Sequence, residues 1–339
     1  MGECVSEKDE RANRSQLLGL VSDNALKHLL RSRGLPHTAQ NRGQLEKRLE
    51  SLLDSQRLSI LELQDEIRGI EEVGGKRMYL RSLSGYEQLR DQSHVAARLS
   101  EHGMKLSDRP GNLIALPEKP TLNYAVWSQE ELRLRFSETH RNVQVNYTEG
   151  TLEYQPINRI AIVAVDLRAG VARVMLDPPG VLNPHSAGAV HGAEAEAAYV
   201  QYYLSLPKTL LGCSTAHLLD LSGVTRKLIE DPDQPFRVPK QKLRTSQNSL
   251  IACANARDIR DDHAIRALLA DDGRDCYYQN SMGFWSAEAS NGELLRDVFT
   301  ELHAPNCMVR FLADCLPSEV DYALRRIART VPKAPAAHG

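Results

Sequence analysis

The chain has 339 residues, with 42% hydrophobic and 25% charged content and 42 basic against 44 acidic side chains. That is globular composition with enough chain for two or three domains and a sizeable core, which excludes a disordered polyelectrolyte or a fibrous repeat. No stretch reaches the roughly 20 apolar residues of a membrane-spanning helix, and the polar start MGECVSEKDE lacks the basic-then-apolar layout of a signal peptide, so a cytoplasmic protein with no membrane partner is expected. Six cysteines, Cys4, Cys213, Cys253, Cys276, Cys307 and Cys315, are scattered without a C-x-x-C pair and read as reduced, mostly buried small apolar residues.

Near the N-terminus, Leu26, Leu29 and Leu30 recur at helical spacing, Gly34 and Pro36 stop that helix, and Leu45, Leu49, Leu52 and Leu53 restart the period after Gln40 or Asn41. Two short helices sharing an apolar seam built on Leu29, Leu45 and Leu49 are predicted. Between Arg11 and Ile60 nine basic residues face four acidic ones, an excess of five, while the rest of the chain sums to −7. A basic N-terminal module thus precedes an acidic body. Such a module neutralises phosphates in a salt-sensitive, largely sequence-independent way, and a solvated helix face has the same composition.

Residues Leu26, Leu29, Leu30, Arg33, Gly34, Leu35, Pro36, Leu45, Arg48 and Leu49 stand at or near the positions of a helix, extended turn, helix pattern, and the segment 22–53 resembles a SAP motif. Its second turn is one residue longer than the usual pattern, with Ala39, Gln40, Asn41 and Arg42 in place of Gly-x-Lys. The resemblance covers about a tenth of the chain and implies DNA binding, with Arg31, Arg33, Arg42, Lys47 and Arg48 as the phosphate contacts. The competing reading of the same leucine-rich pair is a helical element that docks a protein.

Further along, Leu58 to Ile70 reads as a third helix with Ser59 as N-cap and Gly74-Gly75 as its end, closing a helical module at about residue 75. A connector over 76–109 follows, with a short strand from Lys76 to Leu83 and a helix from Tyr86 to His102. The body, 110–330, opens on strands at Leu132–Phe136, Val143–Tyr147 and Leu152–Tyr154. A longer run from Ile157 to Val165 then turns at Arg168-Ala169-Gly170 into Val171–Leu176. Connections this short predict an antiparallel sheet. Helices are expected at Gly192–Leu206, ended by Pro207, at Thr215–Ile229, at Asp261–Leu269 and at Pro317–Arg329. Strands are expected at Ser249–Ala254 and Cys307–Leu312, with a hairpin over Tyr277–Trp285 around Ser281-Met282-Gly283. Pro232, Pro235 and Pro239 mark Asp231–Gln247 as an exposed loop, and 331–339 is a tail expected to be disordered.

Chemical signatures are sparse. Asp258, Asp261, Asp262 and His263 are adjacent and read as capping charges, and His185 and His191 lack a third ligand at zinc spacing. No phosphate-cradling glycine pattern and no G-x-S-x-G elbow occur, and no acidic residue is followed by Glu-x-Lys on a strand. A divergent nuclease would have to draw Glu153, Asp166, Asp177 and Asp258 together from separate places in the chain. The remaining candidate is the run FRVPKQKLR, where Arg237, Lys240, Lys242 and Arg244 fall within eight positions and suit either phosphate contact or a solvated loop.

The sequence therefore predicts an α+β protein: a small N-terminal helical module followed by a larger mixed domain on an antiparallel sheet. Its expected role is non-catalytic DNA binding as a targeting or scaffolding subunit with a protein partner, without metal, cofactor or catalytic residue. The alternatives are a protein-interaction subunit of a multi-component prokaryotic system and a divergent metal-dependent nuclease.

Overall fold

A computed structural model of the chain describes residues 14, 18, 23–107, 119–146, 151–177, 189–231, 234–244, 249–253, 258–263, 267, 277–312 and 315–330. The expectations for His185, for most of the helix at 261–269 and for the tail fall outside them. The N-terminal module is built as its leucines demand. Helix α1 (Asp23–Ser32) and helix α2 (Arg42–Asp54) are followed by α3 (Ile60–Val73), and Leu26, Leu29, Leu30, Leu45, Leu49, Leu52, Leu53, Leu63, Ile67 and Ile70 close one core. The seam residues Leu29, Leu45 and Leu49 are each at most 1% exposed. Asn41 caps α2 by accepting from the Gln44 backbone, and Ser59 and Glu62 form a reciprocal capping box at α3, satisfying backbone donors that the first turn leaves unpaired.

The body is α+β, centred on one antiparallel sheet of eleven strands. The strands are β1 (Arg77–Ser84), β2 (Thr121–Trp127), β3 (Glu131–Asn146), β4 (Thr151–Asp166), β5 (Val171–Leu176), β6 (Ser214–Leu218), β7 (Phe236–Arg244), β8 (Ser249–Cys253), β9 (Tyr277–Trp285), β10 (Val298–His303) and β11 (Met308–Phe311). Their order is β2-β3-β4-β5-β1-β11-β10-β9-β7-β8, with β6 also pairing to β1. The short strand read after Lys76 forms as expected. It runs through the middle of the sheet between β5 and β11, so the stretch expected to connect two domains supplies the central strand of one. The apolar segments read separately between Leu132 and Val165 join into two 16-residue strands, β3 and β4, in register along their whole length.

Helices cover the sheet on opposite faces of its two halves. On one face, the front, Leu132, Leu134, Phe136, Ala161, Val163 and Val174 pack under α4 (Gln92–Glu101) and α5 (Ala189–Thr209). On the back, Phe236, Trp285, Val298, Leu302, Val309 and Phe311 pack under α6 (Leu221–Glu230) and α7 (Pro317–Thr330). Helix α3 also sits on the back face, where Glu72 accepts from the Tyr124 hydroxyl and pairs with Arg133 at 3.0 Å, fixing the module to β2 and β3. The front face of β7, β9, β10 and β11 has no helix over it among the described residues.

Four local expectations are corrected. Within the stretch Asp231–Gln247 expected as an exposed loop, Phe236–Arg244 is β7, an inner strand between β8 and β9, with Pro239 placed where the pairing to β9 slips between Arg237 and Lys240. A proline has no ladder donor, so a bulge is where such a strand tolerates one. Thr215–Ile229 divides into β6 and α6, because Asp220 caps the helix by accepting from Gly223 N–H. Tyr277–Trp285 is one strand rather than a hairpin; a Cβ on Gly283 would lie 2.5 Å from the Phe236 ring, so the glycine answers a close approach and not a turn. Pro207 does not end its helix, which continues to Thr209.

Candidate nucleic-acid interface

The five cations of the N-terminal module separate into two groups. Arg33 donates to both carboxylate oxygens of Glu66 and to Leu29 O, Arg42 to Glu46, Asp23 and Leu18 O, and Arg48 to the carbonyls of Pro36 and Thr38, both at 2.7 Å. These three guanidinium groups hold the module's turns and helix ends together. Arg31 and Lys47 have no ion pair among the described residues, Lys47 being exposed and Arg31 half-buried.

The second basic run is arranged differently. Strand β7 points alternate residues to opposite faces, so Phe236, Val238, Gln241 and Leu243 are buried on the back while Lys240, Lys242 and Arg244 stand exposed on the front. The slip at Pro239 keeps Arg237 on the same side as Lys240. None of the four is held by an ion pair among the described residues. Successive front-face residues of a strand lie about 6.8 Å apart, so Lys240, Lys242 and Arg244 make an evenly spaced column of positive charge that Arg237 extends across the slip.

Register assigns the neighbours of that column. Arg237 lies opposite Phe284, which lies opposite Phe299; Lys240 leads to Met282 and Glu301; Lys242 leads to Asn280 and His303; and Arg244 pairs with Tyr277. Phe284 is buried on this face with its ring centroid 5.2 Å from that of its cross-strand neighbour Phe299, which is 46% exposed. Exposed large apolar side chains number six among the described residues; Phe299 and Leu312 are neighbours at the Arg237 end of this face, and Tyr277 stands at its Arg244 end, roughly 20 Å away along β9. Asn280 Nδ2 donates to Glu301 at 2.7 Å and Arg310 lies 3.8 Å from the same carboxylate. Asn280 Oδ1, His303 Nδ1 and Arg310 Nε are themselves buried and have no hydrogen-bond partner. None of these β9 and β10 residues stood out in the sequence, although Val298–His303 alternates apolar and polar as a strand does.

The two basic segments do not form one track. The module is fixed through α3 to the back of the sheet, whereas the β7 column faces front. The carboxylates considered for a nuclease also stay apart. Asp166 pairs with Val171 at one end of β5, and Asp177 follows Leu176 at its other end, where it accepts from Ile160 N–H and pairs with buried Lys76. Six residues of strand, roughly 20 Å, separate them. Asp258 is bound to Arg260 beside β7, the side chain of Glu153 lies outside the described residues, and no group of three or more potential metal ligands converges among those described. On the back, a cleft of about 550 Å³ between β1, β5 and α7 is lined by Glu130, Glu131, Asp166 and Asp321 against Arg173 and Arg325, a net acidic lining opposite in sign to the β7 column.

No helix among the described residues is long and apolar enough to cross a membrane. No family model matches the sequence, and no curated protein matches it either.

Proposed function

We propose that the chain is a non-catalytic DNA-binding subunit of a larger assembly, and that its DNA-contacting surface is the front face of the sheet at β7. The observation that carries this reading is the column Arg237, Lys240, Lys242 and Arg244: four cations on one face of one strand, unpaired among the described residues, in a chain whose net charge is −2. Cations that a fold does not use internally are available to displace counterions from a phosphate backbone, which is the main source of non-specific affinity. The helical module takes the protein-docking role in this reading. Arg33, Arg42 and Arg48 hold its own turns, which leaves its structure defined and its phosphate-binding capacity small.

Electrophoretic mobility of a labelled DNA fragment with the full chain tests this. Lys240→Glu/Lys242→Glu/Arg244→Glu should lose binding at 50 mM salt while keeping the parent's thermal transition, and Arg31→Glu/Lys47→Glu should bind nearly as the parent does. Equal binding by the β7 variant and the parent, with binding lost in the module variant, would return the interface to the N-terminal helices.

A further inference from the structure

We infer that the front face takes DNA as a single strand, its phosphates along β7 and its bases stacked over β9 and β10. This rests on the reading of β7 as the phosphate-contacting strand and adds what the rest of the face does.

The layout is a grid. Columns are strands about 4.8 Å apart and rows are front-face positions about 6.8 Å apart. Its β7 column is wholly basic, whereas the β9 and β10 columns hold Tyr277, Asn280, Met282, Phe284, Phe299, Glu301 and His303. Two strand spacings, roughly 10 Å, therefore separate Arg237 from Phe299 in the same row, the order of distance between a phosphate and the far edge of its own base. Phe299 stands near the start of an inner strand, exposed on the front face, with Phe284 beside it as its cross-strand neighbour. An exposed aromatic ring offers a stacking partner to an unpaired base, and the faces of bases in a duplex are already occupied.

Charge sorts the columns in the same sense. Glu301 repels a phosphate but accepts from a base N–H, and it sits beside Asn280 and Arg310, which hold its carboxylate in place on this face. A duplex laid across β7 would bring its second backbone toward that carboxylate. A single strand places only base edges there. Met282, half-buried between Lys240 and Glu301, lies on the same face. It offers no partner to a 2′-hydroxyl and suits a thymine methyl group and deoxyribose, which favours DNA.

Fluorescence anisotropy with the full chain separates the outcomes, using a labelled 12-nucleotide oligothymidylate, a 12-base-pair duplex and a 12-nucleotide oligouridylate at 50 and 200 mM salt. The oligothymidylate should bind at least tenfold more tightly than either competitor. Four phosphate contacts at a single-strand slope of about 0.7 each should weaken it roughly fiftyfold between the two salts. Phe299→Ala should cost tenfold or more on the single strand, in line with about 1–3 kcal/mol per stacked base, leave the salt slope unchanged and be rescued by Phe299→Trp. Equal affinity for single strand and duplex, or an unaffected Phe299→Ala variant that melts with the parent, overturns this inference and leaves the β7 interface standing. Tighter binding of the oligouridylate overturns the assignment to DNA. Failure to bind any of the three overturns the proposed function itself.

Discussion

The guanidinium of Arg33 meets both carboxylate oxygens of Glu66, one of them at 2.7 Å, and so ties the end of α1 to the middle of α3 across 33 residues. Two parallel charge-assisted bonds fix the angle between the helices as well as their distance. An arginine read from its neighbours as a phosphate contact is, in the fold, a brace. Both side chains are partly exposed, so solvent screening keeps the pair to about 1 kcal/mol.

Charge reversal makes the brace measurable. Arg33→Glu should lower stability by about 1–2 kcal/mol, since it also places two carboxylates together. The exchange Arg33→Glu/Glu66→Arg should recover most of that loss. A double-mutant cycle on urea midpoints checks it, and single variants that add without coupling would show that the pair contributes nothing. DNA affinity measured well below the unfolding transition should not change.

A deeper junction forms at Glu72, which is 2% exposed and receives the Tyr124 hydroxyl from β2 together with Arg133 and Arg135 from β3, the latter at 3.5 Å. Burial first, and the Glu72 charge second, push the Tyr124 phenol well above its usual range, so it stays protonated and donates throughout the physiological range. Glu72→Ala leaves the buried Tyr124 hydroxyl without its acceptor and Arg135 with Glu71 alone, at 3.3 Å, and should cost about 1–3 kcal/mol. Glu72→Gln keeps an acceptor and should cost less. Equal urea midpoints for Glu72→Ala and the parent would show that the module is held to the sheet by other contacts.

The elements legible in the sequence are those whose signals are local. Ser59 followed by Glu62 announces a capping box, and the leucines from Leu26 to Leu53 announce a two-helix seam, because both depend on residues within a few turns of one another. Strand β7 was illegible because Pro232, Pro235 and Pro239 read as loop residues, and only pairing to β9, some forty positions later, shows that Pro239 sits at a slip in the ladder. Gly283 misleads in the same way, its cause being the ring of Phe236 rather than its neighbours. The four β7 cations were visible as a basic run. Their common face, and the Phe299 and His303 that share it, follow from the register Lys242 to Asn280 to His303 across three strands, which no window of sequence contains.

The buried thiols give a pH-dependent test of the core. Cys213 and Cys307 are fully buried, and burial, opposed only partly by neighbouring hydrogen bonds and cations, pushes each thiol up to about 11. Unfolded cysteine ionises near 8.5, so the folded state disfavours the thiolate. The contribution of these groups to stability is therefore fully present below about pH 8.5 and is lost as pH rises through 11. Alkylation should be slow in the native chain at pH 8, should accelerate with a midpoint near 11, and should be fast at pH 8 in denaturant. Cys307 also holds a left-handed backbone conformation, with φ at 51°, and its sulfur lies 3.0 Å from Leu219 O. Cys307→Gly should relieve the backbone while removing that packing, so it should free the chain of one slow-reacting thiol without raising its stability. Rapid labelling of both cysteines at pH 8 in the folded protein would show that the core opens locally around β11 and β6.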